Sequence, residues 1–204
     1  MTIGQRFARL ATDVSVRWPR LWRLFRPLIR RQFDRMAPVW AQLRSVDSFG
    51  SLEAALASLP GAPRRALDLG TGTGQAAFLL AERFPEAEVI GADLAPEMLA
   101  EARSATPPHL TGRLRFELAD ASSLPYDDGS FDLVSLANMI PFFDELARVT
   151  APGGAVVFSF SGGSETPIYV PFERLRAELG ERGFADFAEF SVGRGTALLA
   201  LKRT

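Results

Sequence analysis

At 204 residues and 22.3 kDa, with 47% hydrophobic and 23% charged residues, the chain has the apolar content of one folded domain and not that of a disordered one. The lack of Cys excludes disulfides, thiolate zinc sites and cysteine nucleophiles, and a single His109 excludes a multi-histidine metal centre; no run approaches the ~18 apolar residues that cross a bilayer, so a cytoplasmic location is expected. The net charge of −1 hides an asymmetry, since residues 1–47 hold ten arginines against three aspartates, net +7, and the remainder carries −8.

The first sixty residues read as helical throughout, with Pro19, Pro27 and Pro38 as punctuation, because proline is tolerated at a helix start and breaks its interior. Trp18, Leu21, Trp22, Phe25, Leu28, Ile29 and Phe33 recur at helical spacing, while Arg20, Arg23, Arg26, Arg30 and Arg31 fall on other faces. The leading expectation is a helical cap over residues 1–60 that packs Trp18, Trp22, Phe25 and Trp40 onto a pocket and leaves the arginines solvated. A second is peripheral contact with anionic lipid through residues 16–35. Arginines also suit phosphate contacts, but no nucleic-acid motif accompanies them.

From Arg64 onward short apolar runs alternate with helical patterns. The first strand, residues 65–70, ends in "LDLGTGTGQ", where Gly70, Gly72 and Gly74 allow a tight turn and a close backbone approach before a helix at 75–83. A second strand at 87–94 ends at Asp93, placed to accept from both hydroxyls of a ribose or to cap the helix at 96–104. A third at 114–120 ends at Asp120, whose carboxylate could accept from an exocyclic amine while the backbone N–H of Ala121 meets a ring nitrogen. Strands at 131–138 and 154–161 flank a helix at 142–149. A helix at 171–182 and two strands joined around "GRG" complete the chain. Three ligand-facing positions on three successive strand ends fit one adenosine-bearing ligand. Gln75 at the third position of G-x-G-x-x-G disfavours a nicotinamide enzyme, and a glycine turn without Lys excludes a P-loop.

The stretches "LDLGTGTG", "VIGADLAPEML", "LADASSLPYDDGSFDLV" and "ELARVTAPGGAVVF", in this order over residues 64–160, resemble the class I S-adenosylmethionine-dependent methyltransferases of the small-molecule type. The resemblance implies a Rossmann-like, doubly wound α/β fold: a seven-stranded, mostly parallel sheet with an antiparallel last strand, preceded by N-terminal helices. A cap would occupy 1–60 and the cofactor-binding domain 61–204. It further implies S-adenosyl-L-methionine as cofactor. Asp68 and the turn of Gly70, Thr71, Gly72 and Gly74 would surround its methionine moiety, Asp93 the ribose, and Asp120 with Ala121 the adenine. Leu94 would pack on the adenine ring, and Asn138 and Met139 would face the sulfonium and the acceptor. Only "MIPFFD" separates Asn138 from "ELARVTAPGG", shorter than the family's usual segment at the acceptor pocket.

Methyl displacement from a sulfonium needs alignment in a dry site more than it needs a base. Asn138, Tyr126 and Tyr169 are the acceptor-side candidates, and His109, in a Pro-rich connection, reads as an exposed structural residue. The expected activity is methyl transfer to an apolar or aromatic small molecule at oxygen or carbon. The alternative is a cofactor-binding module without catalysis that acts through its basic N-terminal helices at a membrane surface or partner.

Overall fold

The computed structural model describes residues 3–43 and 49–204. Strands β1 (Arg65–Leu69), β2 (Glu88–Asp93), β3 (Leu114–Leu118), β4 (Phe131–Ala137) and β5 (Thr150–Phe160) lie parallel, and β6 (Phe184–Val192) and β7 (Gly195–Lys202) close the chain as an antiparallel hairpin. The sheet order is β3-β2-β1-β4-β5-β7-β6, with β7 antiparallel to β5. The seven strands and the antiparallel end are as the sequence leads one to expect. Order reverses between β1 and β4, so the chain leaves these neighbours toward opposite sides and opens a crevice at their carboxyl ends.

Successive side chains of a strand face opposite ways, and here both ways are covered. Leu67, Ile90, Val134, Val156 and Phe158 pack with Phe143, Leu146 and Val149 of α6 (Phe143–Val149) and Leu175 and Leu179 of α7 (Phe172–Gly180). Ala66, Val89, Leu133 and Val157 pack with α3 (Gly50–Ala57), α4 (Gln75–Arg83) and α5 (Pro96–Ser104), through residues such as Leu52, Leu80 and Leu99. At roughly 1.5–3 kcal/mol for each large side chain buried, these two layers dominate folding.

Three expectations change. Helix α1 (Ile3–Arg17) is followed by a 3-10 turn at Pro19–Leu21 and by α2 (Trp22–Leu43), which runs unbroken through Pro27 and Pro38. Both prolines are exposed, so a carbonyl that loses its helical N–H partner can bond water. The expected cap of residues 1–60 divides: α1 and α2 cover the crevice, whereas α3 packs on β5, β6 and β7 because Leu52, Ala55 and Leu56 are wholly buried there. Finally, β5 begins at Thr150, and Pro152–Gly154 bulge out of it where the β4 register jumps between Phe131 and Leu133. Another irregularity lies in β6, where Asp186 takes φ 51° and one extra residue stands between the paired Ala185 and Ala188.

Candidate functional site

The crevice holds a cavity of about 530 Å³. Its floor is the carboxyl edge of the sheet: Leu69, Gly70 and Gly72 after β1, Ala92 to Ala95 after β2, Ala119 and Ala121 after β3, and Asn138 to Ile140 after β4. Its roof is helical, with Ala8 and Ala11 from α1 and Trp22, Ile29, Phe33, Met36 and Trp40 from α2. Ser161 and Thr166–Ile168 close the side next to β5.

The glycine turn is stitched to β2, since the N–H groups of Gly70 and Thr71 both donate to the Ala92 carbonyl at 2.8 and 3.0 Å. Gly70, Gly72 and Gly74 have φ of 74°, 55° and 86°, the left-handed region where a side chain is strained. A β-carbon on Gly70 would also stand 2.6 Å from the Met139 sulfur, so the short connection after β4 rests its first side chain on the turn. Asp68 is buried beneath the turn at 1% exposure, beside the buried Thr71.

Asp93 lies at the cavity wall and accepts from the Gly72 N–H at 2.8 Å and the Ala95 N–H at 2.9 Å. It thus ties the turn to the start of α5. Burial raises its pKa from the ordinary carboxylate value, more than the N–H groups of Ala95 and Gly72 lower it.

Asp120 has different surroundings. Its Oδ1 accepts from the Trp22 indole at 3.0 Å and from the Ser122 N–H and hydroxyl at 2.9 and 2.8 Å; its Oδ2 accepts from Arg26 at 2.9 Å. It lines a neighbouring hollow with Arg26, Pro27, Arg31, Asp34 and Leu118, which shares Arg30, Leu94 and Ala119 with the main cavity. Burial pushes its pKa up, but the Ser122 N–H and Arg26 outweigh that and hold it below the usual range.

Asn138, at φ 55°, lines the cavity and is locked to Ser161: its amide nitrogen donates to the Ser161 hydroxyl at 3.1 Å, and its Oδ1 accepts from the Ser161 N–H at 3.0 Å. Gly70, Gly72, Asp93, Leu94, Ala121 and Asn138 therefore meet around one space. Asp68, Thr71 and Gly74 are buried and do not line it, and Asp120 lines the adjoining hollow. Tyr126 and Tyr169 are not brought to the cavity. The Tyr126 hydroxyl donates to Glu117 at 3.0 Å on β3, and the Tyr169 ring packs between Phe160 and Phe172. His109 pairs with Glu82 on the surface at 2.5 Å. Trp22 and Trp40 line the cavity, whereas Trp18 is 55% exposed, and Arg26 is bonded, not merely solvated. The roles of Ser161 and Arg26 escaped the motif reading; the spacing of Trp22 and Arg26, one helical turn apart on α2, was the available signal.

Comparison with known proteins agrees with this geometry. A methyltransferase-domain family profile matches residues 66–154. The demethylmenaquinone methyltransferase of Thermus thermophilus is 44% identical over 137 residues, which cover 61% of this chain and 62% of that protein. The malonyl-[acyl-carrier protein] O-methyltransferase of Halorhodospira halophila is 47% identical over 107 residues, covering 49% of this chain and 36% of that protein. The chain thus spans about three-fifths or less of the length of these curated relatives. Among solved structures, the [4+2]-cyclase SpnF superposes with a TM-score of 0.70 at 18% identity, over 86% of this chain and 95% of that one, a likeness of fold. With the family match, the relatives and the strand order in agreement, residues 66–154 carry a methyltransferase domain similar to those of the S-adenosylmethionine-dependent methyltransferases, on the fold those enzymes share.

Proposed function

We propose that the chain transfers a methyl group from S-adenosylmethionine to an apolar or aromatic small molecule. The observation that carries this reading is the joining of a glycine turn, the Asp93 carboxylate and an apolar roof around one cavity of about 530 Å³, within the ~300–1,000 Å³ range usual for small-ligand sites. The residues fit the cofactor. Backbone without side chains at Gly70 and Gly72 can come close to its amino-acid part, Asp93 stands beside Gly72 to accept from ribose hydroxyls, and Leu94 and Ala121 line the part of the wall toward β3. The carboxylate of Asp120 serves the adenine amine on this reading through Oδ2, which accepts from Arg26 alone.

When bound, the cofactor supplies a methyl carbon on an already activated leaving group. The chain's part is orientation and exclusion of water. Met139, Ile140, Ile168, Phe33 and Met36 make the walls apolar, and the Asn138–Ser161 pair fixes the end of β4 against the end of β5. Alignment of this kind supplies roughly 7–11 kcal/mol in favourable cases. Arg30 and Asp93 are the ionisable side chains among the described lining residues, and Asp93 already accepts two N–H bonds, so this reading assigns the described lining to orientation and not to a dedicated base. The demethylmenaquinone named for the Thermus relative is an acceptor of the apolar aromatic class; this lining matches such a ring better than a polycarboxylate, which one Arg30 would have to balance.

Calorimetric titration with S-adenosylmethionine, followed by assay of methyl transfer to a series of phenols and quinols, tests the reading. Saturable binding and a methylated apolar product are expected; binding without any methylated product would favour the non-catalytic module. Asp93→Ala should weaken cofactor binding by roughly 1–3 kcal/mol, since a charged acceptor is lost and the Gly72 and Ala95 N–H groups are left without it. An unchanged dissociation constant in the folded variant would remove Asp93 from the site.

A further inference from the structure

Of the eight large apolar side chains exposed among the described residues, six lie on α1, α2 or the turn between them: Leu10, Trp18, Leu21, Leu24, Leu28 and Val39. Leu24 is the most exposed of them at 74%. Along α2, Leu24, Leu28, Arg35 and Val39 recur at four- and seven-residue spacing and form one outward stripe, on the side opposite Ile29, Phe33 and Met36 that roof the cavity. Arg17, Arg20, Arg23, Arg31 and Arg35 are all exposed and have no ion pair among the described residues, whereas Arg26 and Arg30 are paired with Asp120 and Asp34. No helix among the described residues is long and apolar enough to cross a membrane.

We propose that this outer face of α1 and α2 docks on a bilayer surface that carries anionic lipid. Apolar side chains that enter the headgroup layer, interleaved with arginines that reach lipid phosphates along their aliphatic stems, satisfy both components of the face at once. A second copy meeting it across a two-fold axis would set arginine against arginine. A nucleic acid would satisfy the arginines and leave Leu24 and Leu28 in water. The docking face stands apart from the reading of the cavity, so its test uses no methyl-transfer readout.

The experiment is co-sedimentation of the full chain with vesicles of phosphatidylcholine alone and of phosphatidylcholine with phosphatidylglycerol, at low and physiological salt. Binding to the anionic vesicles, weakened by salt, is expected, with little on the neutral ones. Arg20→Gln and Arg23→Gln should each lower the partition coefficient roughly fivefold, from about 1 kcal/mol per basic residue near such a surface. The Leu24→Gln/Leu28→Gln double variant should lower it by about tenfold or more. These side chains are exposed, so melting temperature and circular dichroism should stay as in the parent, which separates lost docking from lost folding. No association with anionic vesicles, equal association with neutral ones, or full retention of binding by both sets of variants would overturn the proposal. So would a dimer or an RNA complex that the same substitutions abolish while vesicles remain unbound.

Discussion

A carboxylate presents about four lone-pair directions, and Asp120 uses four: the Trp22 indole, the Ser122 N–H, the Ser122 hydroxyl and Arg26. Three of them fall on Oδ1 and one on Oδ2, so a further donor would meet the carboxylate at Oδ2, beside Arg26. The two strand-end aspartates titrate in opposite senses, and that gives a signed prediction. Asp120, held low, stabilises the fold above the unfolded carboxylate value of ~3.9, and that contribution is lost as pH falls through its lower folded value. Asp93, held high by burial, works against folding at neutral pH and less so as it takes up a proton. In urea unfolding between about pH 6 and 2, Asp120→Asn should make the acid loss of stability shallower and Asp93→Asn should make it steeper; equal slopes in the three proteins would contradict both assignments. At Gly70, substitution by Ala adds strain at φ 74° and drives a β-carbon into the Met139 sulfur, for a cost of roughly 1–3 kcal/mol. Pairing it with Met139→Ala should relieve the contact but not the backbone strain, so a double-mutant cycle should return a coupling of about 0.5–2 kcal/mol. The motif made Gly70 and Asp93 legible, because glycine and aspartate at those spacings have few other uses. The partners of Asp120 were not legible, because Trp22 and Arg26 lie 98 and 94 residues away in sequence and no local pattern fixes which turn of a distant helix lands on a strand end.

Helix α2 meets the rest of the molecule along one face. Phe33, Met36 and Trp40 pack with Ala95 and Met98 of the α5 region, the Phe33 and Trp40 rings lie edge-on at 5.5 Å, and Trp22 meets Phe142 at 5.3 Å. Its amphipathic spacing was evident in the sequence, but its continuity was not, since Pro27 and Pro38 read as breaks and only their exposed positions explain why they are tolerated. The anchoring contacts are few compared with those of a central strand, so α2 should open locally at a lower free energy than the sheet. Phe33→Ala removes a half-buried ring from this seam. It should cost about 1–3 kcal/mol of docking and speed amide exchange through α2 while the exchange of β1, β2 and β4 stays slow. Uniform acceleration across helix and sheet would mean that α2 and the sheet unfold as one unit.

For the whole molecule, the alternation of strands and helices was enough to anticipate a doubly wound sheet, because parallel strands buried on both faces leave near-continuous apolar runs such as those of β4 and β5. What the alternation could not supply was the side on which α3 settles, a matter of long-range fit between Leu52, Ala55, Leu56 and the hairpin strands. Nor did it supply the extra residue in β6. That residue has a bearing on how the protein behaves in a crowded solution. A sheet ends in two open rows of hydrogen-bonding groups, and a neighbour's strand can add to either. At one rim the short β3 carries Arg115 and Glu117, paired with each other, as a charged fringe. At the other, the left-handed Asp186 kinks β6 midway, so that no straight strand of another copy can match it over its full length. The bulge therefore works as a guard against edge-to-edge polymerisation, leaving this wide, mostly apolar sheet free to remain a single unit.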